Sequence, residues 1–391
     1  MPQDTARMPN EKARRRSNSI VVLVLILLAL VSVRCSRGGD SIKIGFFGPL
    51  TGNTATAGQS LRNGALIAIE EMNAAGGLLG KKITLVEYDD RSSPEQAVKS
   101  AMKLVTVDRV HAIVGSLHSG NILASAPILE EFRAPTIGSG TSPKWLEQGY
   151  KYLFRSIGNS GLAVRELALY ATSAGMKRVA ILHANDEYGR TGADDFARHA
   201  RDGGLEIVTQ ESFTHGDRDF TGQFARIRRE KPDAVMLWAL GDDLGALTKQ
   251  LRQTGYAGPI LGSEGYSMPQ VTEIAGAATD GVVFAAQYLI PETPDAAENL
   301  MMRRFLDAYV KAFNEMPASD NAYRGYDAAR IIGEAIRRAQ SVDSQKIRDA
   351  IENLEGFEGI AGSFTFKGRS GEGIHSSRIF RIAGGNYSAV P

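Results

Sequence analysis

From residue 42 onward two hydrophobic rhythms alternate along the chain. Short apolar runs, at 42–47, 83–88, 110–114, 135–137 and 152–156, read as buried strands. Between them apolar residues recur every three or four positions. Leu61, Ala65, Ala68 and Met72 mark one helix face that stops at Gly76-Gly77, and further helices are predicted over 94–107 and 121–132. A comparable series follows Gly158. It predicts helices over 162–173, 194–202, 221–229 and 244–254, with strands at 178–183, 205–213, 234–239, 259–261 and 281–285. The chain is then helical over 298–314, 321–340 and 344–353, and returns to strand at 363–366 and 378–382. Such alternation specifies an α/β fold of parallel sheets covered by helices, with right-handed crossovers. The restart near Gly158 divides it into two Rossmann-like lobes.

One stretch carries the clearest chemical signal. The strand at 110–114 runs into Gly115-Ser116-Leu117-His118-Ser119-Gly120, and the strand at 135–137 into Gly138-Ser139-Gly140-Thr141-Ser142-Pro143. In a parallel sheet both turns emerge at the carboxyl edge, where open α/β folds bind ligands. Small residues let a ligand approach the backbone closely. The hydroxyls of Ser119 and Thr141, beside free N–H groups and a helix start, suit a carboxylate or another small anion. Taken singly, either turn is equally well described as a βα connection capped by Ser or Thr.

Composition narrows the picture further. A chain of 391 residues exceeds one ordinary core and suits two domains. The formal net charge of +1 gives no reason to expect nucleic acid or an anionic membrane as partner. Cys35 is the only cysteine, so neither an intrachain disulfide nor a thiolate metal cluster can form. Arg14-Arg15-Arg16 followed by the apolar run at 20–30 describe an export signal within 1–35, and the run is short for a bilayer span. Cys35 just beyond it resembles the lipidated cysteine of bacterial lipoproteins, although Arg34 and Ser32 depart from that pattern. The segment 77–82 has neither the spacing nor the Ser/Thr of a phosphate loop. Leu117 stands where a nucleophile elbow before Ser119 needs glycine. His111, His118, His183, His199, His215 and His375 show no paired metal-ligand spacing. No cofactor, metal site or catalytic group is therefore expected, and His118 is expected to pack or hydrogen-bond.

An ordered series of short motifs resembles the type I periplasmic binding proteins of the branched-chain amino-acid and amide family. It comprises Ile42-Lys43-Ile44-Gly45 with Gly48-Pro49-Leu50-Thr51-Gly52, then Asn63-Gly64-Ala65 and Asn73-Ala74-Ala75-Gly76-Gly77. Tyr88-Asp89-Asp90, Thr141-Ser142-Pro143, Asp186-Glu187-Tyr188-Gly189, Asp219-Phe220 and Gly262-Ser263-Glu264-Gly265 follow in order. The resemblance implies a protein that captures an α-amino acid between two lobes and passes it to an ABC permease. It implies a monomer in the periplasm or on the outer face of the membrane. It also implies three chain crossings, with one lobe from 42–157 and 286–372 and the other from 158–285 and 373–391.

The resemblance extends to individual residues. Ser119 and Thr141 would hold the ligand's carboxylate. The Ser139 carbonyl, Thr141 and the Glu264 countercharge would hold its ammonium, Gly140 would belong to the same ligand-binding turn, and Tyr188 would close from the second lobe. Asp327 is the fallback acid. The side-chain pocket would fall at Ala57, Leu117, His118, Trp238 and Leu240. Ala57 stands where relatives often place an aromatic, Leu240 where they place a second tyrosine, and Ser92 and His118 where some pair cysteines. The expected side chain is branched-chain, otherwise apolar or aromatic. A sensor docking on a membrane receptor, or a binder of amides, urea-like compounds or organic acids, are the alternatives.

Overall fold

The computed structural model describes residues 41–390. The export segment and Cys35 lie outside the described residues. The first sheet contains β1 (Ile42–Gly48), β2 (Ile83–Asp89), β3 (Ala112–Gly115), β4 (Thr136–Gly138) and β5 (Leu153–Arg155). They lie in the order β2-β1-β3-β4-β5 and every pairing is parallel. β1, β3 and β4 are buried on both faces, so apolar residues run through them without alternation. The loops after β3 and β4 therefore leave the same edge side by side.

The second sheet takes β6 (Arg178–Ala184), β7 (Glu206–Phe213), β8 (Ala234–Trp238), β9 (Ile260–Gly262) and β10 (Val283–Ala286). After β11 (Phe357–Glu358) and β12 (Ser363–Phe364), which form a separate ribbon, it is completed by β13 (Arg378–Ala383) and β14 (Asn386–Ala389). Its order is β14-β13-β10-β9-β8-β6-β7. The final two strands run antiparallel, a departure from an all-parallel sheet. Gly384 and Gly385, with φ of 56° and 81°, turn between them as a two-residue hairpin requires. The chain thus passes between the sheets after β5, after β10 and before β13.

Residues between the second and third passes return to the first sheet's side. The helix Asn321–Ala339 lies against Ala55–Ala74 at a separation only glycine permits. A Cβ on Gly64 would stand 1.7 Å from the Ala322 carbonyl oxygen, and one on Gly325 would stand 1.9 Å from that of Leu61.

Several boundaries differ from the periodicity. The helix expected over 94–107 is α-helical over Pro94–Lys103 and widens into a π-turn over Leu104–Asp108. The one expected from 194 begins at Glu187, capped by Asp186, whose carboxylate accepts from the Gly189 N–H at 2.6 Å. Gly189 and Gly192 obscure that start because glycine weakens a helical reading. Packing requires both. Their Cβ atoms would lie 1.9 Å from the Ala184 carbonyl oxygen and 2.1 Å from Trp238 Nε1.

Candidate functional site

The two small-residue turns meet at the first sheet's carboxyl edge. Ser119 opens the helix Ser119–Glu131, with His118 extended before it, and the Ser119 hydroxyl accepts from the Ser142 N–H at 3.1 Å. Gly140 lets the turns touch, since a Cβ there would come within 2.9 Å of the Ser119 backbone. Arg155 fixes the second turn from below. It is fully buried and donates to the carbonyls of Thr141 (2.6 Å) and Ser142 (2.7 Å). Its guanidinium lies 4.5 Å over the Trp145 ring, while Trp145 donates to the Gly140 carbonyl at 3.1 Å. Burial pulls the Arg155 pKa down to about 10, against the opposing pull of Glu372. At that value the group stays charged at neutral pH.

The second sheet supplies the facing groups. Tyr188, on the first turn of Glu187–Asp202, stacks on Trp238 with centroids 5.6 Å apart. Glu264 begins a short 3-10 turn immediately after β9. The Ser263 hydroxyl sets that turn by donating to the Ala239 carbonyl at 2.7 Å. Tyr188 donates to one Glu264 oxygen at 3.0 Å and Thr141 to the other at 3.2 Å. Through the Thr141 hydroxyl the carboxylate therefore ties the second sheet to the first. It is 8% exposed, and burial raises its pKa above the usual carboxylate value although Arg324 pulls the other way. Burial, then the Glu264 charge, likewise holds the Tyr188 phenol neutral.

Leu117, His118, Ser119, Ser139, Thr141, Tyr188, Leu240 and Glu264 thus surround one cavity, joined by Met268 and Arg324. Its volume of about 10 Å³ is room for roughly one water. Three candidates do not line it. Gly140 sits behind the turn it shapes, Trp238 backs Tyr188, and Ala57 is fully buried in the helix Ala55–Ala74. Asp327, the fallback acid, does not line it either. Its carboxylate accepts the N–H groups of Ile360 (2.9 Å) and Ala361 (3.0 Å), and burial pushes its pKa up to about 6. His118 shares a 2.7 Å hydrogen bond with the Thr54 hydroxyl, which also meets Ser92 at 3.0 Å. Burial lowers its pKa, against the pull of Asp90 and Asp186.

Met268 and Arg324 are the lining residues that sequence reading missed, and Arg324 is the more telling. In the helix Asn321–Ala339 it looks like a solvated arginine, yet it is 2% exposed and ion-paired with Asp320. The signal was the adjacent Gly325, whose close helix contact carries its neighbour inward. A much larger open groove, about 900 Å³, is lined by Tyr288, Ile290, Met316 and Tyr387 among others. It shares no residue with the two turns, so size does not make it the ligand site.

The sequence profile described as periplasmic binding protein matches residues 41–386. The leucine-, isoleucine-, valine-, threonine-, and alanine-binding protein of Pseudomonas aeruginosa is 30% identical over 333 residues, 85% of this chain and 87% of its own length. The leucine binding protein LivK from Thermotoga maritima superposes with a TM-score of 0.82 at 28% identity, covering 90% of this chain and 98% of that one. The branched-chain amino acid transporter substrate binding protein LivJ from Streptococcus pneumoniae, solved in complex with isoleucine, gives 0.81 at 26% identity, with 90% and 99% covered. With both sheets, the paired turns and nearly all of the described chain inside these matches, the protein belongs to the periplasmic binding protein family.

Proposed function

We propose that the protein binds a free α-amino acid between two lobes outside the cytoplasmic membrane and delivers it to an ABC permease. One observation carries this reading: hydroxyls from the first sheet and a buried carboxylate from the second converge on one cavity. The carboxylate of the ligand belongs at Ser119 and Thr141. Its ammonium belongs at Glu264, because a buried cation requires a countercharge. Leu117, Leu240 and Met268 form an apolar wall suited to an aliphatic side chain, in keeping with the ligands named for the relatives. The role is non-enzymatic, and the protein acts as a monomer.

The lobes are 42–157 with 286–372, and 158–285 with 373–391. Ser142 bonds across the cleft to Glu187 (3.3 Å) and Thr191 (3.2 Å), and Asn53 to Asp243 (3.2 Å). A cavity this small admits an amino acid only if the lobes part, so binding involves hinge motion. A thermal-shift panel of amino acids, their amides and organic acids tests the reading. At 100 times its dissociation constant a true ligand stabilises by about 2.7 kcal/mol. An acid lacking the amine that stabilised as strongly as its amino-acid counterpart would refute it.

A further inference from the structure

Directly beyond Glu264 lies a second cavity, of about 20 Å³, whose walls come from all three passes between the sheets. Gly158 and Ser160 line it from the first pass, Gln287 from the second and Ser377 from the third. Thr141, Glu264 and Arg324 line both cavities. The Thr141–Glu264 hydrogen bond of 3.2 Å therefore belongs to their common wall. An amino acid held by those two groups lies beside both cavities, and its side chain decides which of them it enters.

The two cavities differ in chemistry. The first presents Leu117, Leu240 and Met268, whereas the second concentrates polar atoms that lack partners. Both ends of the Gln287 amide, the Ser160 and Ser377 hydroxyls and Arg324 Nε are buried and unpaired. Gln287 is 8% exposed, Ser160 1% and Arg324 2%. A Cβ on Gly158 would come within 3.1 Å of Gln287 Nε2, so that residue leaves the amide its space. Buried polar groups normally find partners, and such a concentration around one space calls for a polar occupant.

Charge narrows the occupant. The Arg324 guanidinium is already paired with Asp320 and shares the wall with Glu264, so the chamber offers no surplus positive charge. What remains free is an amide donor, an amide acceptor, two hydroxyls and one N–H. That set matches a neutral group that both donates and accepts. We infer that the second chamber is a side-chain subsite for a carboxamide or ureido group, so that the protein takes amino acids such as glutamine or citrulline at least as well as leucine. This inference rests on the amino-acid reading of the first cavity.

Calorimetric titration of the full chain with leucine, glutamine, citrulline and glutamate, repeated on Gln287→Leu and Ser160→Ala, tests it. Glutamine and citrulline are expected to match or exceed leucine, and glutamate to bind more weakly than glutamine. Gln287→Leu should weaken glutamine about tenfold, the value of one lost hydrogen bond. Leucine should stay within about twofold, as for a site it does not touch. Ser160→Ala, which only removes a hydroxyl, should shift selectivity in the same direction. Leucine binding without glutamine binding, equal losses for both ligands, or glutamate binding more tightly than glutamine would each overturn the inference alone. Binding of no amino acid would instead remove the reading beneath it.

Discussion

Replacing Glu264 with Gln should stabilise the empty protein and cripple the loaded one. Glu264 is 8% exposed and takes part in no ion pair among the described residues; Tyr188 and Thr141 hold it by hydroxyl donation. Burial raises its pKa, so its ionised form is disfavoured in the empty cleft. The sign follows by linkage. A carboxyl raised above its unfolded value contributes stability at low pH that is lost as pH rises through the folded pKa. Gln carries no charge, so Glu264→Gln should melt higher than the parent at neutral pH, with that acid-side dependence removed. With an ammonium bound against it, the carboxylate becomes half of a buried pair. Truncating one partner of such a pair costs about 2–5 kcal/mol. That corresponds to roughly a 30-fold to several-thousand-fold rise in Kd. Titration of parent and variant with leucine measures the loss. Equal affinities, or a lower melting temperature for the empty variant, would refute the reasoning.

Gly325→Ala forces a methyl group to within 1.9 Å of the Leu61 carbonyl oxygen, so the helices Ala55–Ala74 and Asn321–Ala339 must separate. A loss of about 1–3 kcal/mol is expected, together with weaker binding because Arg324 is the residue just before it; an unchanged denaturation midpoint would count against it. His215 sits between Asp186 (3.0 Å) and Asp243 (2.8 Å), whose hydrogen bonds push its pKa up to about 10. Its stabilisation is complete below about pH 6.5 and is lost as pH rises through about 10. At 42% exposure, solvent screening limits it to about 1 kcal/mol. His215→Asn should therefore flatten the melting profile between neutral pH and that value, and an unaltered profile would exclude the network. Small-angle scattering with and without saturating leucine should show a smaller radius of gyration in the bound form, and equal radii would exclude hinge closure.

The alternation of apolar runs and helical periodicity determined the βαβ architecture, because burial on both faces of a parallel strand leaves a signature within the strand itself. It likewise identified the paired turns after β3 and β4, since small hydroxyl residues at a strand's carboxyl end are a local feature. The series of motifs singled out Tyr188 and Glu264. Local pattern failed wherever a residue serves a distant neighbour. Gly192 weakened the helical reading near 187, yet it is glycine because Trp238, from a distant strand, occupies the Cβ position. The last strand, β14, is exposed along its length and carried little apolar signal.

Contacts across long separations made the remaining decisions. Asp327 looked like a spare cleft acid, but backbone N–H groups at 360 and 361 take its carboxylate. Ala57 and Trp238 stand behind the cavity wall because the helix and strand carrying them turn those positions toward the core. Arg324 is the plainest case. Its burial comes from glycine contacts between helices some 260 residues apart, at Gly64–Ala322 and Leu61–Gly325. No local periodicity encodes such a contact, because the energy that buries the arginine comes from its neighbours' packing and from Asp320, not from its own polarity. The sequence determined which groups this protein could offer a ligand; tertiary packing decided which of them share a wall.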